Sequence, residues 1–399
     1  MGDIGDKDDV WYEYIQPTAE GKYEAICFLN RRSGQLKFRG QMGVDVIRQL
    51  IEPWGTVIET RSPGHLKRLI HDLPPTNGNV RILMTASGDG GFKQLTTALD
   101  DLVVDGNGKD HLMNRNILYI VDTGTIGFIN QLVLSESKRL ADKRPWFHTY
   151  ESGLKEVGDA IMAREPLQVM WMPQMMVSST YRDDQGREVE GHQRTCVLAD
   201  GAITTFIDRY EQARAGLRYV PGQLVAAGML VKGVACKGLE ALTFGRFRDT
   251  YTPDFLKMRE GAITVNGVRH EGEYNVMLIT SIPMRMDLPG FRMDPCARLP
   301  PLKKPYFSLM VYWGRITMDD FIKNRGALQR GEKIEIPGLV SEVTNGAVIL
   351  NYAEPRSRFV ADGELDVHGS IVTIEPGFGV NMVMRTYTNG TRGIDDRVA

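Results

Sequence analysis

The spacing of apolar residues divides the first third of the chain into alternating strands and helices. Four short runs rich in apolar residues are typical of buried strands: residues 23–30, 55–59, 80–85 and 116–121. Between them, apolar residues recur every three or four positions, which predicts helices over residues 44–51, 64–71 and 92–102. Strand and helix repeated in this order predict a parallel sheet with helices on its faces.

The pattern changes after about residue 145, where short strand-like runs and turn residues replace the helical spacing. Residues 203–244 are the exception and predict helices. Two hairpin turns are predicted, at residues 183–186 and at Asn266-Gly267. The runs predict strands of a mainly antiparallel arrangement: residues 167–177, 193–198, 262–265, 276–281, 306–313, 333–336, 347–351, 358–360 and 371–375.

Together the two patterns predict an α/β domain with a parallel sheet and glycine-rich loops, followed by a mainly antiparallel β-sandwich domain. Ligands of parallel sheets bind at the carboxyl ends of the strands, so the loops there are the first place to look for chemistry. We expect four segments: an N-terminal extension (residues 1–20), the α/β domain (21–150), the β-rich domain (151–385) and a tail (386–399).

The composition excludes several function classes. Of the 399 residues, 42% are hydrophobic and 25% are charged, and the net charge of -2 gives no basic field that would recruit nucleic acid. The four cysteines form no CxxC pair and have no histidine at metal spacing, so a reducing compartment such as the cytoplasm fits. No run approaches the roughly 18 apolar residues of a membrane span. We expect a soluble protein that at most lies on a membrane surface.

The sharpest local motif follows the third predicted strand, as Ser87-Gly88-Asp89-Gly90-Gly91. Glycines allow the backbone to approach phosphates closely, and exposed N–H groups in such a loop bind anions. A carboxylate there would repel phosphate, so Asp89 is a candidate for binding Mg²⁺ or for accepting a proton. Taken alone, the motif is equally well explained as a turn after a strand.

A second candidate loop, Asn30-Arg31-Arg32-Ser33-Gly34, follows the first predicted strand. Its Asn and Ser side chains could hold a ribose or a phosphate, and an arginine could neutralise phosphate charge. Without further context, a solvated basic loop is the simpler interpretation.

The third candidate is Asp362-Gly363-Glu364, between two strand-like runs near the end of the chain. Carboxylates two positions apart point the same way in an extended chain, which suits Mg²⁺ binding or acid–base chemistry. An exposed hairpin turn explains the same three residues equally simply.

Taken in order, these motifs resemble those of the diacylglycerol kinase catalytic-domain family, which includes bacterial lipid kinases, sphingosine kinases and ceramide kinases. The N-P-x-S-G loop of that family corresponds to residues 30–34, and its G/S-G-D-G-T/x loop corresponds to residues 87–91. A segment similar to K-I-A-P-x-A lies at residues 292–297. The closing D-G-E corresponds to residues 362–364 and is followed by a strand that ends at Pro376.

Four features of the sequence depart from the lipid-kinase pattern. Residues 121–128 are more similar to the N-x-G-x-L-G-F stretch of NAD kinases, which share the fold. Arg31 replaces the family's proline, Gly91 replaces its threonine, and the D-G-x-L-D stretch of many bacterial members is missing after Ala297. Two alternatives therefore stand: an NAD kinase-like enzyme that phosphorylates a ribose hydroxyl, and a binding or regulatory protein that keeps the fold without catalysis.

The resemblance implies an ATP-dependent, Mg²⁺-requiring lipid kinase that phosphorylates a hydroxyl of diacylglycerol, ceramide or a sphingoid base. It implies a proton acceptor among Asp89, Asp362 and Glu364, with Asp89 and Asp362 also as metal ligands. It further implies that the first domain binds the nucleotide through these residues: Asn30, Arg31, Arg32, Ser33, Gly34, Ser87, Gly88, Gly90, Gly91, Thr123, Gly124 and Thr125.

A lipid acceptor implies that the second domain holds acyl chains and that the protein touches a membrane surface peripherally. The methionine-rich run at residues 167–177 and the apolar helix around residues 224–230 are candidate walls for those chains. No nucleic-acid partner is expected, and a homodimer is left open.

Overall fold

We describe the protein from a computed structural model. The described residues are 12–31, 34–74, 76, 78–104, 116–121, 150–182, 185–216, 222–243, 251–282, 286–288, 291–293, 307–324, 326–327, 336–352, 358–362, 364–367 and 369–384.

The described part of the chain forms its strands in three sheets. The strands of the first half are β1 (Tyr12–Ile15), β2 (Tyr23–Leu29), β3 (Thr56–Glu59), β4 (Val80–Ala86), β5 (Asn116–Ile120), β6 (Leu167–Arg182), β7 (Glu188–Thr195) and β8 (Val197–Gly201). Those of the second half are β9 (Arg259–Val265), β10 (Val268–Tyr274), β11 (Val276–Thr280), β12 (Met286–Leu288), β13 (Phe291–Met293), β14 (Leu309–Gly314), β15 (Leu339–Thr344), β16 (Val348–Tyr352), β17 (Arg358–Ala361), β18 (Glu364–Val367) and β19 (Ile371–Val383).

Helices occupy the faces of the sheets and the segment between β8 and β9. They are α1 (Gly34–Ile51), α2 (Pro63–His71), α3 (Gly88–Val104), α4 (Tyr150–Ala163), α5 (Ala202–Gly216), α6 (Gly222–Leu242), α7 (Tyr251–Phe255) and α8 (Met318–Lys323). The prediction of helices over residues 203–244 is therefore confirmed by α5 and α6.

The N-terminal sheet is parallel in the order β3-β2-β4-β5. The first parallel strand, β2, lies beside the third, β4, so the direction of winding reverses between them. Such a reversal leaves a crevice at the carboxyl ends of the two strands, where the loops diverge to opposite faces of the sheet. Both glycine-containing motifs of the first domain follow these two strands.

Two long strands from the later part of the chain extend this sheet. β19 pairs in parallel with β5 through Asn381 and Met382, and it pairs with β6 in antiparallel register over most of its length. The first half of β19 also pairs with β16, whose other neighbour is β9. A shift in register between Pro376 and Gly379 marks an irregularity in β19, between the segment that pairs with β16 and the one that pairs with β5.

The remaining strands form a six-stranded sheet in the order β15-β14-β11-β8-β17-β18, in which every described pairing is antiparallel. Both predicted hairpins are confirmed. The pairs Arg182–Glu188 and Val265–Val268 close them. In the second, Asn266 and Gly267 have φ values of 51° and 77°, as a two-residue type I′ turn requires.

A single hydrophobic cluster connects the parallel sheet with the six-stranded sheet. It combines Phe92 and Leu95 of α3, Val197 of β8, Val360 of β17 and Met382 of β19. All five side chains are at most 4% exposed. The predicted fold class, a parallel α/β part followed by a mainly antiparallel part, is therefore confirmed. The exact division at residues 21–150 and 151–385 stays a prediction, because strands and core are shared between the two parts.

One local prediction needs correction. The motif at residues 87–91 was expected to be a loop before a helix over residues 92–102. In the structure only Ser87 separates β4 from α3, and Gly88 already begins the helix. The glycines of the motif therefore form the first helical turn, whose N–H groups have no partner within the helix.

Candidate functional site

The crevice between β2 and β4 brings two of the predicted motifs together. The backbone N–H of Asn30, after β2, donates to the carbonyl of Ala86 at the end of β4, at 3.3 Å. One residue further, Ser87 leads into the first turn of α3. The start of α3 and the loop after β2 consequently lie side by side at the carboxyl edge of the sheet. The positive end of the helix dipole makes this position suited to a negatively charged ligand.

The close fit of Gly91 fixes the geometry of this turn. A Cβ atom added at Gly91 would lie 1.4 Å from Oγ of Ser87 and 2.6 Å from Oγ1 of Thr85. The two hydroxyl groups are themselves hydrogen-bonded at 2.5 Å. The serine side chain thus occupies the space that a side chain at position 91 would need. Gly91, which replaces the threonine of the lipid-kinase motif, is required here because a Cβ would overlap the Ser87 side chain and lie too close to the Thr85 hydroxyl.

Asp362 provides the most distinctive side chain of the site. It follows β17 in a turn, is fully buried, and has a φ of 49°, a conformation that Asp and Asn tolerate better than most residues. Its Oδ1 accepts hydrogen bonds from the backbone N–H groups of Cys196 and Val197, both at 2.9 Å. Its Oδ2 has no hydrogen-bond partner among the described residues.

The peptide that binds Asp362 is itself held in place. The carbonyl of Cys196 accepts from the backbone N–H of Ser281 at 3.0 Å and from its hydroxyl at 3.3 Å. The Thr195 hydroxyl donates to the carbonyl of Val197 at 2.9 Å. With both sides of this peptide engaged, the orientation of the Asp362 carboxylate is fixed by three neighbouring strands, β8, β11 and β17.

Burial raises the pKa of Asp362 to about 6, because the charged carboxylate loses its hydration. The backbone N–H of Cys196, the nearby Thr195 hydroxyl, the N–H of Val197 and the positive charge of Lys93 each lower the pKa and oppose the effect of burial. At neutral pH the group is therefore mostly ionised and can still accept a proton, which is the property required of a general base.

Helix α3 begins at the crevice between β2 and β4 and lies along β7, the strand that leads to the peptide that binds Asp362. Arg194, at the end of β7, forms a buried ion pair with Asp100 of α3, and its backbone N–H donates to Oγ1 of Thr97 at 3.2 Å. Arg194 also donates to the carbonyl of Phe378 at 3.0 Å and lies over the Phe378 ring. These contacts place α3 directly along the strand that leads into the Asp362-binding peptide.

In the loop after β2, Arg31 has a different set of contacts from those the sequence suggested. Its guanidinium binds both carboxylate oxygens of Glu59, at 2.6 and 2.7 Å, and also Gln41. The hydrogen bonds from Arg31 and then from Arg48 lower the pKa of Glu59 to about 2. Arg31 therefore connects the loop to β3, and its role as a nucleotide ligand stays a prediction.

The structure describes the other candidates unequally. Three of the glycines lie in the first turns of α1 and α3: Gly34, Gly88 and Gly90. The backbone places Asp89 in α3 and Glu364 in β18, and the positions of their side chains are not described. Other predicted residues lie outside the described part of the chain: Arg32, Ser33, Thr123, Gly124 and Thr125. Their assignments as nucleotide-binding residues stay predictions.

Asp362 is the described carboxylate that is most suited to a magnesium ion. Within the described ranges there is no group of three or more His, Cys, Asp or Glu side chains that could hold a metal ion. Asp362 offers one carboxylate oxygen, Oδ2. Mg²⁺ in kinases is commonly bound by one or two carboxylates together with substrate phosphates, so a single oxygen is compatible with it. The metal roles of Asp89 and Asp362 stay predictions.

Several contacts of the site could not be found from the sequence. Cys196 and Val197 act through their backbone N–H groups, and no local pattern marks a residue for that role. Ser281 and Arg194 lie 85 and 94 positions from their partners Cys196 and Asp100.

Comparisons with known proteins find similar solved structures and no matching family. No protein-family model matches the chain, and none of the curated proteins matches it. Among solved structures, it is similar to a diacylglycerol kinase from Bacillus anthracis str. Sterne, at 12% identity and a TM-score of 0.46, over 90% of this chain and 96% of that one. It is also similar to yeast NADH kinase complexed with NADH, at 9% identity and a TM-score of 0.40, over 94% of this chain and 89% of that one.

These two structures belong to the same two enzyme classes that the sequence motifs resemble. At such low identity and TM-score the similarity carries no argument about substrate or chemistry. Function has to be argued from the residues of the site itself.

Proposed function

We propose that this protein transfers the γ-phosphate of ATP to the hydroxyl group of a lipid. The observation that carries the proposal is the free oxygen of Asp362. A fully buried carboxylate oxygen without a hydrogen-bond partner among the described residues is costly unless a ligand uses it. The peptide that binds Asp362 follows β7, which Arg194 holds against α3, and the first turn of α3 is suited to binding phosphate.

The chain's own residues account for the main parts of a phosphoryl transfer. The N–H groups of the first turn of α3 would bind oxygens of the nucleotide phosphates. Oδ2 of Asp362 would accept the proton of the acceptor hydroxyl as its oxygen bonds to the γ-phosphorus. The bond from that phosphorus to the bridging oxygen then breaks, and ADP leaves with the electron pair. Phosphoryl transfer depends on position and charge neutralisation, so few residues suffice.

Mg²⁺ would neutralise charge on the β- and γ-phosphate oxygens. Asp89, at the second position of α3, is the residue we expect to meet it. Asp362 can then serve as proton acceptor, a role that fits its hydrogen-bonded Oδ1 and unpartnered Oδ2.

The second part of the molecule supports a lipid acceptor through the surface of α6. Val231, Leu239 and Leu242 of this helix are 67%, 47% and 77% exposed, and Ala235 between them is also exposed. With about 100° of rotation per residue, these four residues lie within about 80° of one face, which we call the α6 stripe. Lys232, at its edge, lies 4.7 Å from the centre of the Tyr251 ring. An apolar face with a cation and an aromatic ring at its border is typical of helices that lie on membranes.

The α6 stripe lies on the surface of a molecule whose described helices include none long and apolar enough to cross a bilayer. We therefore propose that the protein reaches its acceptor by lying on the membrane surface, with α6 against the lipid.

The test is transfer of ³²P from γ-labelled ATP to a total lipid extract in the presence of Mg²⁺, with NAD offered in a parallel reaction. Asp362→Asn and Asp89→Asn are compared with the wild type, and the exposed Asp159→Asn of α4 is the matched control. We expect a labelled lipid with wild type and Asp159→Asn, and a loss of about 100-fold or more in the two site variants. Label on NAD alone would identify the NAD kinase-like alternative. No labelled product from folded wild type would contradict the proposal.

A further inference from the structure

Arg194 is a buried arginine whose contacts join three separate elements of the fold. Its guanidinium forms an ion pair with Asp100 of α3 and donates to the carbonyl of Phe378 in β19 at 3.0 Å. Its backbone N–H donates to Oγ1 of Thr97, also in α3, at 3.2 Å. Arg194 and Asp100 are only 3% and 4% exposed, so bulk water solvates neither charge. No step of the proposed transfer uses this ion pair.

Stability alone is a weak explanation for the buried ion pair. Removing two charges from water often costs as much as their attraction returns, and apolar side chains of similar volume are often equally stable. In addition, Nε of Arg194 has no hydrogen-bond partner among the described residues, so one buried donor is left unsatisfied. Buried polar groups of this kind are best known for fixing one arrangement of the elements that they join.

On one side, the contacts of Arg194 hold the helix that begins at the crevice between β2 and β4. Thr97 lies about two and a half turns after Gly88, the first residue of α3. Because a helix of this length moves as one body, a contact that holds Thr97 and Asp100 also holds the first turn of α3. The N–H groups of that turn are the ones suited to phosphate.

On the other side, Arg194 comes directly before the peptide that binds Asp362. The N–H groups of Cys196 and Val197, two and three positions after Arg194, both donate to Oδ1 of Asp362 at 2.9 Å. The position of this peptide therefore decides where the unpartnered Oδ2 of Asp362 lies. Arg194 thus joins the phosphate-binding turn and the proton acceptor of the proposed reaction through its own contacts and its place in the chain.

The contact with β19 fixes this connection to the large sheet. Phe378 lies in the stretch of β19 where the register against β6 shifts, between Pro376 and Gly379. Residues in such an irregularity are left out of the ladder of the strand pair, so the Phe378 carbonyl is available to Arg194. The guanidinium also lies over the Phe378 ring, 5.4 Å from its centre. A planar guanidinium with several donors in fixed directions can bind this carbonyl and Asp100 together.

We propose that Arg194 is a positioning residue for the phosphoryl transfer, which holds Asp362 at a fixed distance from the first turn of α3. The inference rests on the proposed function, because this distance matters for the rate only if phosphate binds at one end and a hydroxyl loses its proton at the other. Arg194 itself would contact neither group. A displacement of about 1 Å between reacting groups can lower a rate about 100-fold. Loss of Arg194 should therefore reduce turnover while phosphate binding remains.

The test compares two buried arginine pairs at different places in the molecule. Arg81 of β4 is 2% exposed, pairs with Glu24 of β2 at 2.8 Å and donates to the carbonyl of Pro74 at 2.8 Å. It has the same kinds of partner as Arg194 but lies near the amino ends of β2 and β4, away from the crevice. Arg194→Met/Asp100→Asn and Arg81→Met/Glu24→Gln each remove one pair without leaving a buried charge unpaired.

Transfer of ³²P from γ-labelled ATP to the lipid that wild type labels gives kcat and KM, expressed per folded molecule. Isothermal titration calorimetry gives the affinity for inorganic tripolyphosphate, which needs no acceptor. We expect Arg194→Met/Asp100→Asn to lower kcat about 100-fold and to keep the tripolyphosphate affinity and the KM for ATP within about threefold. Arg81→Met/Glu24→Gln should keep kcat within about twofold. Arg194→Lys should recover part of kcat, because an ammonium can pair with Asp100 but lacks the planar fork that also reaches Phe378.

Hydrogen exchange measures the same positioning without a reaction. The N–H groups of Cys196 and Val197 are bound by Asp362, so their exchange rates report how firmly this peptide is held. We expect both to exchange about 10-fold faster or more in Arg194→Met/Asp100→Asn, and at the wild-type rate in Arg81→Met/Glu24→Gln.

The outcomes separate the role of Arg194 from the proposed function. Wild type that transfers phosphate, with equal kcat in the two paired variants, would overturn the role of Arg194 and leave the function standing. A tripolyphosphate affinity that falls as far as kcat would also overturn it, since Arg194 would then act on phosphate binding. Folded wild type that phosphorylates no acceptor would contradict the function. In that case, faster exchange at Cys196 and Val197 would still support the hold of Arg194 on this peptide, and unchanged exchange would contradict it.

Discussion

Asp362 combines two features that are each unusual for an aspartate, a positive φ of 49° and complete burial. The first is what a tight D-G turn requires, and that interpretation competed with a catalytic one when only the sequence was considered. The second feature is not needed for a turn, because hairpin turns are normally exposed. The turn and the catalytic interpretation are therefore compatible, because the turn orients the Asp362 carboxylate toward the protein interior.

The buried charge of Asp362 predicts a specific pH dependence of stability. Its pKa in the folded protein is about 6, above the value of about 3.9 expected in the unfolded chain, so the folded state binds the proton more tightly. The resulting stabilisation is fully present below about pH 4 and is lost as the pH rises through 6. A difference of about two pKa units corresponds to about 3 kcal/mol in the free energy of unfolding.

We therefore expect Asp362→Asn to remove this loss and to be more stable than wild type at pH 8, while its activity falls. Urea unfolding of both proteins between pH 4 and 8 measures the difference, with Asp159→Asn as control. Asparagine keeps the tolerance for positive φ, so the backbone turn is not disturbed. If the free energies of unfolding of wild type and Asp362→Asn change with pH in parallel over this range, burial of the Asp362 carboxylate does not destabilise the folded protein.

Ser87 and Gly91 form a second residue-scale feature, in which each residue determines the other. We expect Gly91→Ala to destabilise the protein by about 1–3 kcal/mol, because the added methyl group overlaps Oγ of Ser87. The double variant Ser87→Gly/Gly91→Ala should recover only the part of the loss that comes from the Ser87 side chain, because the Cβ would still lie 2.6 Å from Oγ1 of Thr85. Free energies of unfolding for the two single variants and the double variant form a cycle. Additive effects would contradict the coupling.

Among the elements, helix α3 contributes to the edge of the parallel sheet, to the hydrophobic core and to the contacts with β7. Its first turn lies at the edge of the parallel sheet, its apolar face contributes to the shared core, and its polar face contacts Arg194 of β7. The sequence showed the apolar spacing of this helix and the glycines at its start. It did not show which strand would lie along the polar face, because β7 is about 90 residues away.

Helix α6 differs from the other elements because its apolar residues are divided between a buried and an exposed face. Val225 is 6% exposed, whereas Val231, Leu239 and Leu242 of the α6 stripe are about half exposed or more. An exposed apolar stripe of this length is unusual for a surface helix, and it is the feature that we relate to a membrane.

We expect the variant Leu239→Glu/Leu242→Glu to lose binding to vesicles of phosphatidylcholine with 20–30% phosphatidylserine, measured by co-sedimentation, by roughly 10-fold or more. The matched control is Met162→Glu on α4, where an equally exposed methionine lies outside the stripe. Activity on a lipid dispersed in detergent should remain close to that of wild type, because the site residues are unchanged. Equal sedimentation of both variants with vesicles would contradict the membrane role of α6.

On the scale of the whole molecule, the α/β part and the antiparallel part share strands and a hydrophobic cluster. β19 pairs with β16 at one end and with β5 at the other, and β6 accompanies it along most of its length. The main hydrophobic cluster contains side chains from both parts. The α/β part therefore completes its sheet only with β6 and β19, whereas the six-stranded sheet and one further hydrophobic cluster consist of residues from the second part alone.

We consequently expect one cooperative unfolding transition, observed at the same urea concentration by far-UV circular dichroism and by tryptophan fluorescence. We also expect a fragment ending at residue 163 to fail to fold alone, since it lacks β19, the strand that pairs with β5 on the side away from β4. Two separated transitions, or a stably folded fragment, would show that the α/β part is autonomous and that the predicted boundary near residue 150 is a true domain boundary.

The sequence by itself determined the features that depend on neighbouring residues. Apolar spacing identified the parallel strands and helices α2, α3, α5 and α6 together with part of α1, and turn residues identified the two hairpins, because these patterns are local properties. Helices α4, α7 and α8 were not predicted. Glycines and carboxylates in three motifs marked the candidate site, including Asp362. The tertiary structure decided everything that depends on residues far apart in the chain: the sharing of β6 and β19 between the parts, the ion pair that holds β7 against α3, and the backbone N–H groups that orient the Asp362 carboxylate. Pairing over such distances depends on packing and hydrogen-bond geometry, and no pattern within one segment records it.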